Sequence, residues 1–431
     1  MKKQRREEKG ITLVALVVTI IVLIILAGVT LNIVLDNDGI INKAKQAAED
    51  YENAQREEQE ILGQVENYIE NAGKIAPIPE GYTKSQITTE DDIGEGLVIY
   101  EIPEGANVSW IDEEDENGNN QSTITIGETT TNLQETVNQY VWIPVNDINS
   151  MVMCKSNTGE SICNLVYDEE KDILKCTTHP ETETDLVGRG YDGIRSSEKE
   201  EDHTIYLYEI DFSKRNQTYI ENSGDREPAV ITGYGTEYDA DSSNLIVAGM
   251  AENSTAEEFL EQLTTDFNVM ATSVAKNGGF YISRYEIGEN GNSKKNQTVL
   301  DNSSTKGNMW YGLYNVCRDI ENNKYMIWGC QYDQVIKFIG EEAQIGHNDR
   351  NLTISRTVSG QNALDCMKNI YDLEGNYSEW TMEANSSENR ISRSSNFDGT
   401  ANVNYNPASI GWNNLPTSAG GYTTVHSILY L

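Results

Sequence analysis

The sequence predicts an α+β protein in which a long N-terminal transmembrane helix precedes a β-rich segment and a larger domain. Three observations favour this class. An apolar run covers residues 11–35, helical spacing continues to residue 72, and short strand-like runs separated by Gly, Asn, Thr and Ser follow from residue 73. Apolar residues three or four apart predict helices, whereas short apolar runs bounded by turn residues predict strands.

The apolar run is long enough to cross a bilayer. Between Ile11 and Leu35 the polar residues are three threonines and Asn32. A helix of that length reaches about 37 Å, against about 30 Å of hydrocarbon. Residues 1–10 form a leader with five Lys or Arg and two Glu, and basic flanks stay in the cytoplasm. We therefore expect a single-pass protein of the bacterial cell membrane or cell surface with an extracellular C-terminal domain.

The junction between the leader and the apolar run carries a processing motif. Gly10-Ile11-Thr12-Leu13 resembles the type IV prepilin site, where a prepilin peptidase cuts after the glycine and the next residue is N-methylated. The resemblance implies cleavage after Gly10, methylation of Ile11, and other pilin subunits as partners. Ala15 stands where most members of that family have a glutamate, which indicates a minor, tip-located or initiating pilin-like subunit, or one that remains anchored in the membrane. A plain signal anchor is the alternative, whereas a secretory signal peptide would have a shorter apolar run.

The predicted helix continues outside the bilayer as a polar stalk. Apolar residues recur every three or four positions from Ile41 to Ile69, with charged residues and Gln between them. Asn71 and Gly73 provide a C-terminal stop. We therefore expect one pilin-like transmembrane and stalk helix over residues 11–72.

The rest of the chain divides into two predicted regions. Strand-like runs at residues 96–102 and 122–126 predict a β-rich linker or subdomain over residues 73–139. A larger domain is expected from Tyr140 to Leu431, with an insertion over about residues 151–277. A region of this size can bury one large core and one small core.

The composition excludes several kinds of site. A net charge of −37 repels nucleic acid. The six cysteines fit several disulfide pairings or buried thiols, and the four histidines are too scattered for zinc. Residues 112–120 and 238–244 look like calcium loops but lack the terminal bidentate Glu, so we expect solvated turns. No cofactor is predicted, and a structural calcium ion is left open.

Four segments of the larger domain occur in the order found in one known family. They are YVWIPV at 140–145, GGFYISRYEI at 278–287, YDLEGNYSEWT at 371–381 and NRISR at 389–393. Together they resemble the formylglycine-generating-enzyme subtype of the C-type lectin fold, also known from sulfatase-modifying factors. The resemblance implies a C-type-lectin-like domain over residues 140–431, whose structural motif residues are Gly375, Asn376, Glu379, Trp380 and Arg393.

Within that motif, each residue type suits a structural role. Gly375 suits a tight turn with positive φ, and Asn376 can bond its own backbone. Glu379 is expected to tie a loop, and Trp380 to fill the core.

The chain departs from the family at the residues that perform its chemistry. The enzymes use a cysteine pair shortly after an R-G-G-S-W stretch, but the stretch here is RSSNF at 393–397 and no cysteine follows Cys366. Relatives that bind iron through three histidines would need them clustered. We therefore predict no enzymatic activity and no catalytic residues, but a scaffold that binds.

The C-terminal segment lacks charge. From Gly399 to Leu431 there is no Asp, Glu, Lys or Arg, in a chain that is 23% charged. Small amides and hydroxyls with a few aromatics are typical of adaptable binding surfaces, although an ordinary Asn-rich loop set is the alternative. Residues 427–431 are expected to return to the core as a strand. The predicted ligand-binding face comprises Asn389, Asn396, Phe397, Asp398, Asn402, Asn404, Tyr405, Asn406, Trp412, Asn413, Asn414 and Tyr422.

The resemblance implies a further property of this face. Lectin-fold domains of this subtype are frequent targets of diversity-generating retroelements, which mutate adenines and so replace Asn codons. The Asn-rich set ahead of the final ILYL fits such a variable protein.

Two main functions follow from these patterns. The first is a pilin-anchored, surface-displayed adhesin or receptor, held in the membrane by its N-terminal helix, whose unknown extracellular ligand is a protein or a glycan. The second is a minor pilin or pseudopilin, a structural subunit of a pilus or of a type II secretion-like assembly. An enzyme of the formylglycine-generating class is a third interpretation, which the missing cysteines oppose.

Overall fold

The computed structural model describes most of the chain beyond residue 75. The described residues are 19–22, 76–115, 120–156, 161–176, 186–188, 205–209, 242–300, 310–340, 343, 358–361, 363–373, 376–384, 390–393, 410–414 and 423–431. Contacts divide the chain into Met1–Ala72 and Gly73–Leu431. In the first unit the described residues 19–22 are helical and exposed. The leader, Gly10 and Ile11 lie outside the described residues, and the predicted domain boundaries stay predictions.

The second unit contains short strands and a smaller number of helices. The strands are β1 Tyr82–Lys84, β2 Val98–Glu101, β3 Asn107–Ser109, β4 Thr123–Ile126, β5 Thr129–Asn132, β6 Gln139–Pro144, β7 Val152–Ser156, β8 Ser161–Cys163, β9 Leu165–Asp168, β10 Ile173–Cys176, β11 Leu186–Gly188, β12 Ile205–Glu209, β13 Gly279–Ser283, β14 Lys324–Met326, β15 Ser378–Ala384, β16 Arg390–Arg393, β17 Ile410–Asn414, β18 Thr423–Thr424 and β19 Ser427–Leu429. The helices are α1 Leu133–Thr136, α2 Ser242–Val247, α3 Ala256–Asn277, α4 Trp310–Cys317 and α5 Gly329–Ile339.

A six-stranded sheet with the order β1-β2-β6-β13-β19-β14 forms the centre of the unit. Its neighbouring strands are all antiparallel. In β6, Val141 and Ile143 face the main core, while Tyr140 and Trp142 face a second, smaller core on the other side. Successive side chains of a strand point to opposite faces, so the apolar run of β6 is explained by a sheet that is covered on both sides.

Helix α3 covers one side of this core. Thr255 caps its N-terminus through a capping box with Glu258, and Gly278 ends it with a left-handed φ of 71°. The first turn is satisfied by the cap, and a glycine adopts positive φ without steric cost. Phe259 and Phe267 lie on its buried face and pack edge-on against Trp310 and Trp328 respectively. Aromatic packing of this kind fixes the orientation of the helix.

The segment before residue 140 belongs to the same sheet, because β1 and β2 continue it beyond β6. A buried ion pair joins the two parts: Nη1 of Arg284 lies 2.7 Å from Oε1 of Glu90, and both side chains are 3% exposed. The hydroxyl of Tyr100 donates to Oε2 of Glu90 at 2.7 Å. Buried charges need such partners, so these residues tie the segment to the core.

Four smaller sheets surround the centre. They are β3-β4-β5, β11-β12-β7-β8, β10-β9 and β17-β16-β15-β18. Cys154 on β7 is disulfide-bonded, and its Cα is paired with that of Cys163 on β8. Cys317, Cys330 and Cys366 form no disulfide. Three predicted strands are present at or near the expected residues, namely β2, β4 and β19.

The predicted fold class and localisation are wrong. The architecture is mixed α/β with several antiparallel sheets, and among the residues described above no helix is both long and apolar enough to cross a membrane. Helix α3 has 22 residues, but three Glu, one Asp and one Lys lie within it, and each ionised group is costly in hydrocarbon. Two predictions are therefore overturned. The first is the α+β fold class with a transmembrane pilin-like helix followed by a C-type-lectin-like domain. The second is the single-pass membrane localisation with an extracellular C-terminal domain. Most of residues 11–72 lie outside the described part.

Candidate functional site

The predicted binding residues that the structure describes lie on β17, at one edge of the four-stranded sheet β17-β16-β15-β18. Trp412, Asn413 and Asn414 belong to this strand. Asn413 is paired with Ile391, and Asn414 with Arg390 of β16. The structure therefore brings three of the predicted residues together on an edge strand. The others lie outside the described residues, namely Asn389, Asn396, Phe397, Asp398, Asn402, Asn404, Tyr405, Asn406 and Tyr422.

The strand next to β17 is rigidly held, because all four residues of β16 are buried. Its last residue, Arg393, contacts two carboxylates. Nε donates to Oε2 of Glu383 at 2.7 Å and Nη2 donates to Oε1 at 3.2 Å, while Nη2 also donates to Oδ1 of Asp333 at 3.0 Å. All three side chains are at most 2% exposed. A bidentate arginine–carboxylate pair fixes both partners in one geometry.

A second cation supports the other end of β16. The guanidinium carbon of Arg390 lies 4.1 Å from the ring centroid of Trp310 on α4. The indole N–H of Trp310 donates to the carbonyl oxygen of Thr381 on β15 at 2.9 Å. Cations stack favourably on indole faces. Helix α4 and strand β15 are thus linked beneath β16 by one tryptophan.

Close packing of α5 completes this support. A Cβ atom added to Gly329 would lie 2.0 Å from Cγ and Cδ of Glu383. Glycine at the start of α5 therefore makes room for the carboxylate that binds Arg393. Sequence patterns did not single out Glu383, Asp333, Arg390 or Trp310. The signal available was an acidic residue two positions after Thr381, next to the apolar Met382.

The YDLEGNYSEWT motif leads into β15 of this sheet and is described at most of its residues. Trp380 is fully buried in the main core. Asn376 donates through Nδ2 to Oε2 of Glu286, and the backbone N–H of Tyr377 donates to Oε1 of the same carboxyl group at 3.0 Å. Asn376 thus binds Glu286, which follows β13 and is distant in sequence. Gly375 lies outside the described residues.

Several carboxyl groups surround this motif away from water. Burial, followed by the charges of Asp372 and Asp365, raises the pKa of Glu286 well above its usual value. Burial and the charge of Glu286 do the same for Glu379. Burial raises the pKa of Asp372 to about 7, against the hydrogen bond that it accepts from the N–H of Gly360. In each of these groups burial and the neighbouring carboxyl groups favour the neutral acid over the carboxylate.

The described residues offer little for metal binding. They contain no group of three or more His, Cys, Asp or Glu side chains that could hold a metal ion. Of the calcium-like loops, Asp112 accepts from the backbone N–H of Thr88 at 3.1 Å, and residues 238–241 lie outside the described part. Nδ1 of His426 lies 2.9 Å from the carbonyl oxygen and 3.2 Å from Oγ of Ser283, but both residues are at most 1% exposed. This contact is closed to a substrate.

A scan against protein-family models found no match, and searches of curated proteins and of solved structures found none either. The chemistry of the sheet β17-β16-β15-β18 is therefore the guide to function.

Proposed function

We propose that this chain is a non-catalytic ligand-binding protein whose binding surface is built on β17 and the uncharged segments on either side of it. The observation that carries the proposal is the contrast between neighbouring strands. Strand β16 is buried and fixed by two arginines, whereas β17 is an edge strand of its sheet with Trp412, Asn413 and Asn414 in sequence. Binding residues commonly lie on segments that a rigid scaffold positions.

The residue types favour a neutral polar ligand. Amide side chains both donate and accept hydrogen bonds, which matches the hydroxyl groups of a sugar, and an indole provides a rigid apolar surface. No Asp, Glu, Lys or Arg occurs from Gly399 to Leu431, so this region lacks groups that would select a charged ligand. The net charge of −37 opposes polyanions over the rest of the molecule. We therefore favour a neutral glycan over a protein or a nucleic acid.

The buried support of the sheet is consistent with binding by a preformed surface. Arg393 spans Glu383 of β15 and Asp333 of α5, so strand, helix and sheet move as one body. A preformed surface loses less conformational freedom on binding than a mobile one. The loss of either carboxylate is expected to weaken ligand binding through disorder of the sheet.

The test measures binding of the purified full chain to an array of neutral and acidic glycans. We expect saturable binding to a subset of neutral glycans, and Trp412→Ala is expected to weaken it about tenfold or more, as for an aromatic anchor. The matched control is Asn107→Ala, an exposed Asn on β3, which should leave binding unchanged. If no glycan binds, or if Trp412→Ala and Asn107→Ala behave alike, the proposal is wrong. Preference for acidic glycans would overturn the ligand class.

A further inference from the structure

Two polar side chains of the central sheet and its connections donate to one carboxylate oxygen. Oε2 of Glu101 accepts a hydrogen bond from Nδ2 of Asn138 at 2.7 Å and from Nζ of Lys324 at 3.0 Å. Because both bind the same oxygen, Nδ2 of Asn138 and Nζ of Lys324 lie close to each other. The lysine amine, a carboxylate and a side-chain amide are the groups needed to exchange one amide for another.

The amide of Asn138 is held from both ends. Its Oδ1 accepts from the backbone N–H of Ser293 at 2.8 Å, and its Nδ2 donates to Glu101. The backbone carbonyl of Asn138 also accepts from the N–H of Glu101 at 3.0 Å. A fixed N–H donor on an amide oxygen is placed to stabilise the negative charge that develops there when a nucleophile attacks the carbon.

The lysine is confined in the same way. Its side chain is 12% exposed, whereas that of Glu101 is 35% exposed. Nζ lies 5.7 Å from the ring centroid of Tyr140, and the backbone of Lys324 is paired with Leu429 of β19. Groups held close together in one orientation react as if they were present at very high concentration.

We propose that Lys324 and Asn138 form an intramolecular isopeptide bond, with Glu101 transferring the proton. Nζ of Lys324 gives a proton to Oε2 of Glu101 and attacks Cγ of Asn138, and the N–H of Ser293 holds the resulting oxyanion. Glu101 then delivers that proton to Nδ2, the Cγ–Nδ2 bond breaks, and ammonia leaves. Glu101 takes the second proton from Nζ and passes it to the ammonia, which is released as ammonium. The net reaction converts an ammonium group and a carboxamide into a secondary amide and ammonium, so no oxidant or reductant is required.

The charge state of the lysine determines how the reaction depends on pH. Burial lowers the pKa of Lys324, but Tyr140 and Glu101 outweigh burial and the net shift is upward. The free amine is therefore a minor species at neutral pH. Below the lysine pKa its fraction rises about tenfold per pH unit, and the cross-linking rate should rise with it.

The bond would join the connection before β6 to the edge strand β14, which are distant in sequence. Such a link restrains the unfolded chain as a disulfide does, and no reductant cleaves it. The inference concerns the stability of the central sheet and does not depend on ligand binding at β17.

The experiment is an intact-mass measurement on the purified, reduced full chain, before and after incubation at pH 7 and pH 9. The expected result is a mass lower than that of the sequence by one ammonia, formed faster at pH 9, with a branched proteolytic peptide that joins Asn138 to Lys324. Lys324→Arg keeps the positive charge and Glu101→Gln keeps the shape, and both should retain the full mass while tryptophan fluorescence shows a folded chain. Lys175→Arg, a control in the Lys175–Asp168 ion pair, should still lose ammonia.

Two outcomes would overturn the inference. The first is a folded wild-type chain that keeps its full mass after incubation at pH 9. The second is loss of ammonia without the branched peptide, because cyclisation of an asparagine on its own backbone also releases ammonia.

Discussion

Replacement of Arg393 by Met tests whether the buried ion network supports the sheet β17-β16-β15-β18. The guanidinium pairs with Glu383 at 2.7 Å and with Asp333 at 3.0 Å, and none of the three side chains is more than 2% exposed. Methionine has a similar length but no charge. The variant therefore leaves two carboxylates in a site that water does not reach.

The expected loss of stability is large. Leaving a buried charge without its partner costs more free energy than the ion pair itself contributed. Removal of one partner of a buried pair typically costs about 3–5 kcal/mol. A domain is stable by only about 5–15 kcal/mol, so the variant should lose a substantial fraction of its free energy of unfolding. Part of the loss is recovered if the remaining carboxylates become protonated, and the defect should therefore be smaller at low pH.

Guanidinium unfolding of the full chain, followed by tryptophan fluorescence, measures this free energy. Trp310, Trp328 and Trp380 are at most 1% exposed, so their emission should report on the loss of the core. The matched control is Lys175→Met, because Lys175 pairs with Asp168 at 2.6 Å but its side chain is 50% exposed. An exposed pair contributes at most about 1 kcal/mol.

The neutral triple variant with Arg393→Met, Glu383→Gln and Asp333→Asn provides the second control. It removes the unpaired charges and should recover more than half of the lost stability. The reasoning would be refuted if Arg393→Met cost no more than Lys175→Met, or if the triple variant were as unstable as the single one.

Three further predictions concern other buried groups. The raised pKa of Glu379 makes the folded state keep a proton that the unfolded state loses. The residue therefore lowers stability as pH rises above 4.5, the ordinary pKa of the group. Glu379→Gln should raise the unfolding midpoint at pH 8 and not at pH 4, and equal effects at the two pH values would contradict this. Burial lowers the pKa of His426 to about 4. Below about pH 6.5 the unfolded chain binds a proton that the folded chain does not, so the folded state becomes less stable. The imidazole NMR signal of the folded chain should not shift between pH 8 and pH 5.5. Gly329→Ala should destabilise by about 1–3 kcal/mol because its Cβ would overlap Glu383. Asn107→Ala at an exposed position of β3 should lose less in the same denaturation assay, and a larger loss there would count against the packing argument.

Local patterns predicted two strands of the β-rich segment. The runs at residues 96–102 and 122–126 correspond to β2 and β4, since short apolar runs bounded by turn residues have few other solutions. The return of the chain end to the core was also predicted, as β19 shows. These predictions needed information from neighbouring residues only.

The helical signal in the N-terminal part was read further than the structure supports. The membrane-spanning architecture and the localisation derived from it are overturned, since no described helix is both long and apolar enough to cross a membrane. An apolar run reports that a segment avoids water. It does not by itself identify the surroundings that the segment adopts.

The candidate site was predictable only in part. The uncharged composition pointed to the region around β17, but nothing local pointed to Asp333 or Glu383 as partners of Arg393, because these contacts join α5, β15 and β16. The meeting of Glu101, Asn138 and Lys324 was equally invisible, since 223 positions separate Glu101 from Lys324.

By itself the sequence determined where several strands form and how the charge is distributed. It also determined that the C-terminal region has no charged side chains. These properties depend on residue type and on neighbouring residues only. Only the tertiary structure decided which charged and amide side chains meet. Burial makes such groups costly unless they find partners, and the partners come from strands and helices that folding brings together from distant parts of the chain.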